Sequence, residues 1–163
     1  MPKQYSAGIS GNTAMLHPRG ERMKTIQELE QYLEENCYNF DSITIGRHYA
    51  YEGLVVKNCA LGYCLFSSER GHETLLKAFQ TEEELVTYTL SYLDRDPWYK
   101  AHIVAFTFDQ KQIKKAEFKL KLMGIRYKRN DIPYRAGQTA YRIFVYGRDI
   151  LRLDQFKRQY MQR

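Results

Sequence analysis

Apolar residues recur at three- and four-residue spacing in four stretches and at nearly two-residue spacing in several others, a mixture that predicts an α+β protein. The first helical stretch runs over about 26–36. Ile26, Leu29 and Leu33 form its apolar stripe, and Thr25 with Glu28 makes a capping box at its start. Glu28, Glu30, Glu34 and Glu35 fall on the wet face. From Ile43 to Phe66 the pattern becomes strand-like. Gly46, Gly53, Asn58 and Gly62 punctuate it, which predicts an antiparallel meander of about three strands. The polar run Ser67–Glu73 predicts a charged turn at the end of that sheet.

A second helix is predicted over about 82–94. Thr81 and Glu84 form its capping box, Leu85, Tyr88, Tyr92 and Leu93 its buried side, and Asp96-Pro97 its stop. His102–Phe108 predicts a central strand. Asp109 then caps a helix over about 110–123 that closes at Gly124. Ile113, Ala116, Leu120 and Met123 make its stripe, with Phe118 and Leu122 widening it. A short strand at Ile125–Lys128, an irregular loop at Arg129–Gly137 and a strand at Thr139–Tyr146 follow. Asp149 is the expected cap of a last helix that buries Ile150, Leu153, Phe156 and Tyr160. The order is α-βββ-α-β-α-β-β-α, with helices packed on one face of a mainly antiparallel sheet. Residues 1–22 show no periodicity and carry three glycines and two prolines. They are expected to be a flexible tail, a tag or an over-extended start, with residues 23–163 as a single α+β domain.

Composition narrows the function classes. The chain has 163 residues, 44% hydrophobic and 27% charged, which suits a folded soluble protein. No apolar run is long enough to span a membrane, and the N-terminus lacks the apolar core of a signal peptide, so a cytoplasmic location is expected. The three cysteines include no Cys-x-x-Cys pair, and Cys59 and Cys64 are expected to be small buried hydrophobes. The four histidines are scattered, so no metal site is predicted. Neither a phosphate loop nor a dinucleotide fingerprint occurs, and no cofactor is expected. Ser68 lacks a nucleophile elbow, and Glu69, His72, Glu73 and His102 have no spacing that would join them as an acid–base set. No catalytic residue is assigned, and the chain is expected not to be an enzyme.

The order of motifs is more specific than any one of them. A capped helix and a Gly-punctuated meander lead to Ser68-Glu69-Arg70-Gly71, then to the Thr81-Glu82-Glu83-Glu84 helix start. His102-Ile103-Val104-Ala105-Phe106, Arg129-Asn130-Asp131-Ile132-Pro133 and Arg142-Ile143-Phe144-Val145-Tyr146-Gly147 follow. Over about Met23 to Tyr160 this resembles a small immunity-protein family of bacterial polymorphic toxin systems. The resemblance implies a non-catalytic protein that binds a cognate toxin domain in the producing cell and occludes its active site or an adjacent surface. Tight binding of that kind takes aromatic and arginine anchors on pre-formed turns. The excess of tyrosine (14, against 8 phenylalanines and 1 tryptophan) fits this need. The expected partner-binding residues are Glu69, Arg70 and His72 in one turn, and Arg129, Asn130, Asp131, Tyr134 and Arg135 in another.

The formal net charge of +6 fits an acidic or neutral toxin. It also opens an alternative, a small nucleic-acid-binding protein. Lys111, Lys114, Lys115, Lys119, Lys121, Arg126, Lys128 and Arg129 would form its basic ridge, set against only Asp109 and Glu117 in the same run.

Overall fold

Two capping boxes fix where the first two helices begin. The computed structural model describes residues 22–161. Helix α1 spans Ile26–Glu35. The Thr25 hydroxyl accepts from the Glu28 N–H at 3.1 Å, and the Glu28 carboxylate accepts from the Thr25 N–H at 3.1 Å. Helix α2 spans Glu82–Asp94, with Thr81 and Glu84 paired in the same way. Glu82 reaches across to accept from the Ile26 N–H at 2.7 Å, tying the two starts together. Helix α3 spans Gln110–Leu122 and is capped by Asp109, and α4 spans Asp154–Tyr160.

The fold is α+β, and its strands divide into two mostly antiparallel sheets rather than one. The first sheet holds β1 (Ile43–Ile45), β2 (Gly53–Cys59), β3 (Gly62–Glu69) and β4 (His72–Phe79) in that order. Leu54, Val56 and Leu65 pack on Leu29 and Leu33 of α1 and Leu85, Leu90 and Leu93 of α2. The second sheet runs β5 (Ala101–Thr107), β8 (Gln138–Tyr146), β6 (Tyr127–Arg129), with β7 (Ile132–Arg135) also paired to β8. Its inner side, with Ala105, Ile143 and Val145, packs on Ile113, Ala116 and Leu120 of α3 and Phe156 of α4. The halves meet at the end of α1. There His102 Nε2 donates to the Cys37 carbonyl at 2.7 Å and the Asn39 amide donates to the Ala101 carbonyl at 2.9 Å.

Several expectations are corrected. The sheet gains a fourth strand beyond the three expected over 43–66: β4 takes His72–Phe79, and the expected turn at Ser67–Glu73 narrows to Arg70-Gly71. Its sequence, HETLLKAF, alternates poorly because almost all of it is exposed. Strand β1 lies parallel to β2. The Gly46–Glu52 connection doubles back along β1, where Thr44 Oγ1 accepts from the Ala50 N–H at 2.8 Å. The expected loop at 129–137 contains β7, whose Pro133 gave a breaker signal in the sequence. Asp149 caps no α-helix: Gly147–Arg152 is a 3-10 segment, and α4 starts after it. Cys59 and Cys64 are not separate hydrophobes. They are diagonal neighbours across β2 and β3 and are disulfide-bonded, while Cys37 is free. Phe118 and Leu122 do not widen the α3 stripe; they are among the most exposed apolar side chains, at 63% and 72%. The expectation for residues 1–22 lies outside the described residues except for Arg22. That side chain pairs with Glu83 at 3.1 Å.

Candidate functional site: an aromatic and cationic sheet face

Alternation along β8 sets up two unlike faces. Ile143 and Val145 turn toward α3, so Arg142 and Phe144 turn the other way. On β5 the register shifts between Ile103 and Ala105, which leaves both Val104 and Ala105 buried. That bulge keeps Ile103 opposite Phe144 and Phe106 opposite Arg142, all on the side away from the helices. On β6, Lys128 pairs with Phe144 and joins the same face, while Tyr127 and Arg129 point toward α3.

Neighbouring segments extend this face. Pro97–Lys100 forms a 3-10 turn capped by Asp96, which brings Trp98 edge-on to Phe144 with centroids 5.1 Å apart. At the other end Tyr134 meets Phe108 at 4.9 Å and Phe106 at 6.4 Å, and Phe106 meets Phe108 edge-on at 5.4 Å. Trp98, Phe108 and Tyr134 are 37%, 39% and 49% exposed.

Each end and the centre of this row carries a cation. Lys128 Nζ lies 5.1 Å from the Trp98 ring, and the Arg142 and Arg135 guanidinium carbons each lie 5.4 Å from the Phe144 and Tyr134 rings. Arg142 also donates to the backbone and side-chain oxygens of Asn130, at 3.0 and 2.9 Å, which fixes its direction. Among the described residues none of these three cations pairs with a carboxylate. Cations resting on ring faces gain attraction without surrendering their charge. The face therefore presents positive charge on a pre-formed apolar platform.

The expected partner-binding residues are split by the fold. Tyr134 and Arg135 belong to this face. Asn130 serves it from behind by holding Arg142. Arg129 and Asp131 do not belong to it. Arg129 donates to Glu117 at 2.8 Å and to both oxygens of Asp131 at 3.0 and 2.8 Å, so its charge is spent inside the fold. Those carboxylates hold its guanidinium above the ordinary arginine value, with the hydrogen bonds to Asp131 as the largest cause. Glu69, Arg70 and His72 are exposed at the β3–β4 turn of the other sheet. No hydrogen bond, ion pair or ring contact joins them to Arg129–Arg135 among the described residues.

The basic ridge is not one surface either. Lys111, Lys114, Lys115 and Lys121 are exposed on α3, with Phe118 and Leu122 between them. Lys119 turns inward to Gln159 and the rings of Phe156 and Tyr160. Arg126 and Lys128 line a second hollow with Tyr127 and Tyr146, and Arg129 is neutralised as above. Glu73 pairs with Lys57 at 2.6 Å, while His102 bonds to the Cys37 carbonyl, so these two residues are engaged separately.

Glu30, Glu34 and His48 bring potential ligand atoms within 4.8 Å of one another. Arg47 already fills that cluster, with its guanidinium 2.6 Å from Glu34 and its backbone N–H donating to Glu30 at 2.9 Å.

Sequence reasoning missed Trp98, Phe106, Phe108, Lys128 with its ring, Arg142 and Phe144 as a group. The alternation of TAYRIFVY contained part of the signal, since every second residue there must leave the core. No protein-family model, curated protein or solved structure matches the chain significantly.

Proposed function

We propose that the protein is a toxin-neutralising immunity protein that uses the Trp98–Tyr134 face of its second sheet to cover an acidic surface on a cognate toxin domain. The observation that supports this is a row of packed aromatics carrying three cations that, among the described residues, have no carboxylate partners. Binding hot spots favour Trp, Tyr and Arg in such settings, and a pre-formed platform loses little entropy on docking. The protein would act in the cytoplasm of the producing cell; no helix among the described residues is long and apolar enough to cross a membrane.

The test is co-expression with the toxin-like product of an adjacent gene. The expected result is a stoichiometric complex that survives high salt and in which the toxin is inactive. Trp98→Ala and Arg142→Glu should each weaken it by roughly 30-fold or more, the scale of a hot-spot loss of about 2 kcal/mol. A complex indifferent to both changes would refute this face.

A second reading, nucleic-acid binding, draws on the exposed Phe118 among Lys114, Lys115 and Lys121 of α3. That reading predicts retained RNA or DNA, released steeply as salt rises, and loss of binding in a Lys114→Glu, Lys115→Glu variant.

A further inference from the structure

We propose that β4 and α2 form a second binding site, a groove for an extended peptide segment that alternates apolar and acidic residues. This goes beyond the toxin reading and concerns the other sheet. Strand β4 ends the sheet order, with β3 on one side only. Residues 72–77 are exposed throughout, including Leu75 and Leu76 at 41% and 42%. In an antiparallel pair, alternate residues turn their N–H and C=O away from the partner strand. Strand β4 contains no proline, so on either side of the bulge at Leu76 its residues offer such groups to an added strand.

Beside this strand lies a hollow of about 750 Å³, walled by Arg22 and Met23, by Lys77–Gln80 of β4 and its sequel, and by the side of α2 that runs from Glu84 to Asp94. Half-buried Tyr88 lines it, over a floor of the core residues Phe79, Val86 and Leu90. Peptides that add to a sheet edge gain specificity by placing alternate side chains in a pocket of this kind.

Charge selects the occupant. Of the charged groups at the hollow, Arg22 pairs with Glu83, and Asp94 accepts from the Tyr38 hydroxyl at 2.8 Å and from Lys100 at 3.3 Å, while Glu84 keeps its charge as it closes the α2 capping box. Lys77 rests over the Tyr88 ring at 4.6 Å, and neither it nor Arg95 forms an ion pair among the described residues. The charge left unanswered is positive, so the matching segment is acidic. The chain's own residues 1–21 have the wrong sign, with Lys3 and Arg19 against Glu21.

The experiment titrates the full ¹⁵N-labelled chain with a short fluorescent peptide of alternating Val or Phe and Asp or Glu. A control peptide replaces the acids with lysine. The expected result is binding of the acidic peptide only, with amide shifts and slowed exchange confined to β4 and α2. Lys77→Glu with Arg95→Glu should weaken it about tenfold or more and admit the lysine peptide. Both positions are partly or fully solvated, so the fold should survive, and an unchanged amide spectrum elsewhere checks this. Trp98→Ala should leave peptide binding intact, which separates this site from the toxin-binding face. The proposal is overturned if the shifts fall elsewhere or are absent, or if both peptides bind alike. It is also overturned if β4 is protected by dimerisation of this chain, or if binding appears only after removal of residues 1–21.

Discussion

Trp98 meets Phe144 edge-on, with ring planes at 83° and centroids 5.1 Å apart, although Trp98 lies in a 3-10 turn and Phe144 in a strand 46 residues later. The Asp96 carboxylate holds the turn by accepting from the Trp98 N–H at 2.9 Å. An aromatic pair of this geometry contributes about 0.5–1.5 kcal/mol beyond its buried area. A double-mutant cycle of Trp98→Ala and Phe144→Ala, read by urea unfolding, should return a coupling in that range. A coupling near zero would mean that the turn does not hold Trp98 on the sheet in solution.

Arg129 looked like a contact residue in the sequence but acts as a clamp. It links Glu117 on α3 to Asp131 after β6, using three guanidinium nitrogens. The side chain is 27% exposed, so the pairs are screened only in part. Arg129→Ala should cost about 1–3 kcal/mol in chemical denaturation, mostly from stranding the two carboxylates. Lysine should not restore it, because one ammonium cannot span both partners. Partner affinity, measured well below the unfolding midpoint, should change little.

Arg70 and Gly71 are the two central residues of the β3–β4 hairpin turn, with φ of 51° and 80°. A turn with both values positive matches the twist of the flanking strands and favours Asn-Gly. Arginine in that region costs about 1 kcal/mol. Arg70→Asn should therefore raise the melting temperature by about 2–4 °C, a shift that calorimetry resolves in a chain of this size. If Arg70→Asn also weakens the complex proposed above, the strained arginine contributes to recognition as well. Unchanged binding would confine the interface to the second sheet.

The helices were the most legible part of the sequence, because their starts are written in side chains that act locally. Thr25 with Glu28 and Thr81 with Glu84 predict α1 and α2 to within a residue. Strand β4 was illegible for the opposite reason. With almost no buried side it has no alternation, and its pairing with β3 is a backbone property. Phe118 and Leu122 misled because apolar identity suggested burial, while their positions fall off the Ile113–Ala116–Leu120 stripe. Of the candidate site, Tyr134, Arg135 and the supporting Asn130 were picked out as partner contacts and Lys128 as part of a basic ridge. Trp98, Phe108 and Phe144 come together through the register of β5 on β8 and the turn before β5, which no local pattern encodes.

Glu34 supplies the pH dependence of the first half. Its carboxylate accepts from His48 Nε2 at 2.7 Å and from Arg47 at 2.6 Å. The His48 hydrogen bond is the largest cause that holds its carboxyl below the ordinary value; burial pulls the other way, and the Arg47 charge adds to the lowering. The turn that delivers both partners uses Gly46 at φ +54°, where an added Cβ would run into the Glu30 carboxylate. The folded state thus binds the Glu34 proton more weakly than the unfolded chain does. Its contribution to stability is present above the unfolded carboxyl value, roughly pH 4.3, and is lost as pH falls through the lower folded value. In carbon-detected NMR, Glu34 should titrate below the ordinary carboxyl value, and His48→Ala should move it upward. The same change should shift the acid-unfolding midpoint to higher pH. Glu34 titrating at the ordinary carboxyl value in the unaltered protein would show that the contact between α1 and the Gly46 turn does not form in solution.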